Sequence, residues 1–152
     1  MAARLMRPAL ELNFNFGPDM AYLAALARSF DADLSDKLFA KAEELATTAN
    51  DWDYQSRADY GFYLAAVNPA QARLWLENAW LRSKSLPKEN QWVASSTQNN
   101  LGAAMMALDP VRALEMLAEA PADDNRSQAR ARIAAYLLAD ETQRPILHAE
   151  ND

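Results

Sequence analysis

The stretch Tyr60-Gly61-Phe62-Tyr63-Leu64-Ala65-Ala66-Val67-Asn68-Pro69 is echoed 41 residues later by Leu101-Gly102-Ala103-Ala104-Met105-Met106-Ala107-Leu108-Asp109-Pro110. The same offset pairs Ala72 with Ala113, Leu76 with Leu117 and Ala79 with Ala120. Gly61 and Gly102 are two of only three glycines in the chain, so their alignment together with that of Pro69 and Pro110 reads as an internal repeat. In each copy a long apolar segment runs into an Asx-Pro pair and a shorter apolar segment follows. Proline lacks the N–H that would continue a helix, and its fixed φ suits the first turn of the next one. Each copy therefore reads as two helices joined by a tight turn.

Composition supports helix throughout. Apolar residues make up 51% of the 152, enough for one domain with a sizeable core. Alanine and leucine, which lose least on entering a helix, are abundant, while valine is scarce. The fold class expected is all-α. A net charge of −6 gives no basic footprint for nucleic acid. Arg126, Arg130 and Arg132, with Arg112, come nearest to one, but Asp123 and Asp124 stand immediately upstream. There are no cysteines, which excludes disulfides, thiolate metal sites and cysteine nucleophiles and suits a reducing compartment. No apolar run has the length of a membrane span, and Pro8, Glu11 and Asn13 interrupt the N-terminus where a signal peptide would be apolar. A soluble, cytoplasmic protein is expected.

Residues 1–17 read as an irregular lead-in, 18–139 as a helical domain and 140–152 as a polar tail. Helices are expected from Pro18 to about Phe30, from an N-cap at Ser35 to about Ala49, and from Asn50 or Asp51 to Val67. Further ones run from Pro69 to about Arg82, from about Glu89 to Leu108, from Pro110 to Ala120, and from Asp123 or Asp124 through Ile133 and Leu137. Gly61 and Gly102 fall inside helices, where glycine costs about 1 kcal/mol relative to alanine. Their recurrence implies that the backbone of a neighbouring helix approaches closely at each.

Leu101-Gly102, Met105, Ala113, Leu117 and Ala120 resemble the tetratricopeptide repeat signature, and Tyr60-Gly61, Leu64, Ala72, Leu76 and Ala79 match the same frame. Weaker copies stand at Leu26-Ala27, Phe30, Ala42, Ala46 and Ala49, and at Ile133-Ala134 and Leu137. That family repeats every 34 residues or so, against 41 here, and HEAT-like repeats of about 40 are the alternative. Either resemblance implies a right-handed α-α superhelix, here of about three hairpins plus a closing helix. In tetratricopeptide proteins the first helices line a concave groove that binds peptides or helices. Carried onto this chain, the groove would hold Arg28, then Gln55, Ala58 and Phe62, then Ser96, Asn99, Ala103 and Met106, then Gln128, Ala135 and Leu138. Gln55, Asn99 and Gln128 could pair with a peptide backbone beside an otherwise small and apolar lining.

Candidate chemistry is thin. Asp31, Asp33 and Asp36 begin like a calcium loop, but Asp36 and Ala42 stand where glycine and glutamate belong, so these acids read as helix caps. His148, the only histidine, has no partner at motif spacing. Among the aromatics, Tyr60 and Trp75 share the core phase, whereas Phe62 and Tyr63 do not and are candidates for binding; Trp80 and Trp92 bracket the 83–90 connector. The function expected is a non-enzymatic protein-protein interaction module, a scaffold without cofactor, whose partner is a protein or peptide rather than nucleic acid or membrane. Two alternatives stand beside it. One is a self-assembling segment of a larger helical protein, a homo-oligomer burying Trp80 or the Ile133 helix; the other is a hydrolase built on paired carboxylates.

Overall fold

A computed structural model describes residues 17–48, 54–86 and 91–139. Among these residues the regular elements are seven α-helices: α1 Gly17–Ala27, α2 Ala32–Thr48, α3 Tyr54–Leu64, α4 Pro69–Ser83, α5 Gln91–Met105, α6 Pro110–Glu119 and α7 Asp124–Leu138. No helix among them is long and apolar enough to cross a membrane. Expectations for the lead-in, for residues 49–53 and 87–90 and for the tail, His148 included, lie outside the described residues.

Four of the helix starts have a local cause on view. Asn68 and Asp109 cap α4 and α6 in the same way: each side-chain oxygen accepts from the backbone N–H three residues on, Gln71 at 3.1 Å and Arg112 at 3.0 Å. Proline occupies the first turn of both helices. Asp123 caps α7 through the Arg126 N–H at 3.2 Å. The sequence reading placed the α2 cap at Ser35, one turn too late. Asp31 is the residue that accepts from the Leu34 N–H, at 3.0 Å, while Ser35 is buried inside the helix and donates to the Ala24 carbonyl of α1 at 2.8 Å. Serine serves either role, and only the packing of α2 on α1 selects between them.

The links at 65–68 and 106–109 are too short for anything but an antiparallel return, so α3 with α4 and α5 with α6 form hairpins. The odd-numbered helices pack side by side in chain order, α1 on α3, α3 on α5 and α5 on α7, and each even-numbered helix touches the odd helices before and after it. A single apolar cluster runs through all seven helices. Inside both hairpins the glycine lies against a leucine side chain of the paired helix, a side-chain contact where the sequence implied a backbone one. A Cβ on Gly61 would stand 2.6 Å from Leu76 Cγ, with Leu76 Cδ2 nearer still. On Gly102 it would stand 2.8 Å from Leu117 Cδ2.

Ion pairs tie α4 to α6 across the outer side. The Arg112 guanidinium grips Glu77 with two bonds, Nε at 2.9 Å and Nη2 at 3.0 Å; Arg73 meets Asp109 at 3.3 Å and Lys84 meets Glu119 at 2.5 Å. The hydrogen bonds from Arg112 hold the Glu77 carboxyl below the usual glutamate range.

Candidate functional site

The residues assigned to a groove do lie on the odd-numbered helices or the turns that end them, but most of them are enclosed. Ala58, Phe62, Ser96, Asn99, Ala103 and Met106 are all buried. Arg28 is exposed and paired with Asp36 at 2.8 Å. Gln128 is exposed, Ala135 half-buried, and Leu138 is 87% exposed. The side chain of Gln55 lies outside what is described. The cause of the enclosure is that α3 and α5 are flanked on both sides: α3 lies between α1 and α5, and α5 between α3 and α7. Helical periodicity marks the stripe facing a hairpin partner, and it carries no mark for a third or fourth neighbour.

Phe62 and Tyr63 make the clearest case. The sequence reading set them outside the core phase, yet both are buried, Phe62 to 4% exposure. Their rings join a chain of aromatic contacts spanning three helices: Tyr22 of α1 to Tyr63 at 5.5 Å, Tyr63 to Phe62 at 5.2 Å, and Phe62 to Tyr136 of α7 at 5.9 Å between centroids. The last two are edge-to-face, the geometry that the ring quadrupoles favour. Tyr136 escaped the sequence reading because three helices, α4, α5 and α6, separate α7 from Phe62 along the chain. Its only signal was an aromatic residue three positions beyond Ile133.

These rings and three alanines enclose a dimple of about 80 Å³, lined by Phe62, Tyr63, Ala65, Ala66, Ala107 and Tyr136. Ala65, Ala66 and Ala107 belong to the turns that end the two hairpins' first helices, so the dimple sits where both chains of the echo reverse. Its walls are mostly apolar, and Tyr136 is half-buried. Such a hollow suits an apolar side chain.

A polar network lies on the other half of α5. Ser95, Ser96, Thr97, Gln98 and Asn99 are buried in succession. The Ser95 hydroxyl donates to Asp123; the Asn99 amide donates to Asp123 Oδ1 at 3.3 Å and to the Ser95 carbonyl at 3.0 Å; and Asn125 donates to Ser96 Oγ at 3.1 Å. Burial opposes ionisation of Asp123, but the hydrogen bonds from Ser95, Arg126 and Asn125 outweigh it and leave its pKa lowered. Ser96 and Asn99 thus seat α7 on α5. Elsewhere the acids considered for chemistry are engaged in structure: Asp31 caps α2, Asp33 meets Lys37 at 2.7 Å and Asp36 meets Arg28. No group of histidine, aspartate or glutamate among the described residues is arranged to hold a metal ion. Two self-assembly candidates from the sequence, Trp80 and Ile133, are buried within their own chain.

Comparison with protein-family models, with curated proteins and with solved structures gives no match for this chain. The described residues define a class by architecture alone: their regular elements are all helices, four of them paired in the hairpins α3–α4 and α5–α6.

Proposed function

We propose that this chain is a protein-interaction module of tetratricopeptide-like hairpins, stacked as a right-handed superhelix, that takes an apolar side chain of a protein or peptide partner into the aromatic dimple. The observation carrying this reading is the convergence of Phe62, Tyr63 and Tyr136 around a hollow that Ala65, Ala66 and Ala107 complete. Rigid aromatic walls around a small apolar pocket are the usual anchor of a binding hot spot. The reading narrows the groove expected from the sequence to the end where Phe62 stands. Asn99 and Ser96 drop out of it as contacts because their polar groups serve the seat of α7. A cysteine-free chain suits a reducing compartment, and the cytoplasm is the location this reading takes.

The test is selection of peptides from a random library against the wild-type chain. Binders should share one large apolar residue. Ala66→Arg, at an exposed position on the dimple, should abolish their binding without changing the far-UV circular dichroism. Leu114→Arg, on the outer face of α6, should leave binding intact. Binders indifferent to Ala66→Arg would reject the dimple.

One observation favours a second reading, self-assembly. Ala131, Ala134 and Leu138 of α7 are exposed on its side away from the core. Under this reading a second copy covers them, and Leu138→Lys shifts a sedimenting dimer to monomer. A wild-type monomer at high micromolar concentration would remove it.

A further inference from the structure

A second hollow, of about 200 Å³, opens between the C-terminal ends of α2 and α4 and the facing turns of α3 and α5. It shares no lining residue with the aromatic dimple. Two arginines, Arg57 and Arg82, and no carboxylate are among the described residues that line it, in a chain whose net charge is −6. Arg82 is exposed, and its backbone carbonyl is fixed by two bonds from Ser85, N–H at 3.0 Å and Oγ at 2.8 Å. No ion pair or side-chain hydrogen bond engages its guanidinium among the described residues. One wall is the Trp75 ring, held by its Nε1 donating to the Arg57 carbonyl at 2.9 Å, with Ala79 and Leu86 beside it.

The floor supplies an independent observation. Thr97 lines the same hollow at 3% exposure, and its buried Oγ1 has no hydrogen-bond partner. A helical threonine ordinarily returns its hydroxyl to the carbonyl a turn earlier, and a buried unpaired hydroxyl costs stability. Nearly all such groups in folded proteins find a partner. A ligand oxygen in the hollow would provide one.

We propose that this hollow binds a small organic carboxylate. The guanidinium of Arg82 takes the carboxylate, the geometry its planar fork suits best. The Thr97 hydroxyl meets a carboxylate oxygen or a neighbouring polar atom, and the apolar body lies against Trp75, Ala79 and Leu86. A hollow smaller than the roughly 300 Å³ at which drug-sized sites begin commits the ligand to about the size of benzoate.

The test uses the full chain with benzoate and its uncharged isostere benzamide, read by thermal melting and by the Trp75 indole N–H resonance. Benzoate at about 10 mM should raise the melting temperature by roughly 3 °C and move that resonance, and benzamide should do neither. Arg82→Gln, at an exposed position, should remove the benzoate response. Thr97→Val should remove it too while raising the ligand-free melting temperature, because valine fills the same space without an unpaired hydroxyl. The proposal is overturned if benzoate has no effect on the wild type, if benzamide matches it, or if the response survives Arg82→Gln.

Discussion

The hairpins α3–α4 and α5–α6 share a frame and differ in filling. Both turn at a capped Asx-Pro pair, and both bring a leucine of the second helix against a glycine of the first. Within that frame Tyr60, Phe62, Tyr63 and Trp75 face counterparts Leu101, Ala103, Ala104 and Met116. One hairpin is packed with rings and the other with small or flexible side chains. The two fillings are complementary. Ala103 and Ala104 are fully buried on the helix that carries α7, while α7 sends Tyr136 across to Phe62. Tyr136 of α7 thus reaches the ring-filled hairpin, adding a further ring to it. The glycine contacts differ as well. Leu76 crowds Gly61 more tightly than Leu117 crowds Gly102, and Trp75 Cδ1 adds a further contact at 3.2 Å.

The strongest way to break the comparison is to fill the glycines. Gly61→Leu should cost about 3 kcal/mol or prevent folding, since the fully buried Leu76 side chain occupies the space the new one needs. With alanine, the helix-propensity gain of about 1 kcal/mol offsets part of the clash, and Gly61→Ala should be the more costly of the two alanine variants. Urea denaturation of both checks the order; Gly102→Ala proving worse would mean the tighter contact had been misread. Next comes a transplant of filling. Ala103→Phe places the ring of Phe62 at its counterpart and should destabilise by about 2 kcal/mol through overpacking against α7. Tolerance of that ring would show that the small residues of α5 do not set the approach of α7.

Smaller effects sharpen the likeness. Asn68→Ala should cost about 1 kcal/mol as a lost cap, and Asp109→Ala should be destabilising for the same reason. Asp109→Ala should cost slightly more because Arg73 also loses its partner at 3.3 Å. The smallest effect is the pair joining the hairpins. Glu77→Gln should cost roughly 1 kcal/mol at neutral pH, as a bidentate but partly exposed pair. Because Arg112 depresses the folded pKa of Glu77, the stabilisation is complete above the unfolded value of about 4.3. It fades as the pH falls through the lower folded value. Thermal melts of wild type and Glu77→Gln should therefore converge in acid. A gap that persists there would assign the loss to packing.

Caps and turns were the most legible features, because they depend on residues within one turn of each other. Asn68-Pro69 and Asp109-Pro110 could be read directly and stand where expected, and of Asp123 and Asp124, both offered for the last helix, Asp123 is the cap. Ser35 shows where that local logic stops: serine serves both cap and interior, and the Ala24 carbonyl on another helix chose the interior. The candidate site was legible only in part. Phe62 was singled out for departing from the core phase, yet its ring is buried, and its partner Tyr136 lies far along the chain.

The sequence by itself determined the helical class, the order of the elements and the close contacts at Gly61 and Gly102, since these follow from propensity, capping and spacing within a hairpin. Only the tertiary structure decided which faces remain open. Helices flanked by two like neighbours bury residues on several sides, and periodicity records a helix's own angles without recording how many neighbours surround it.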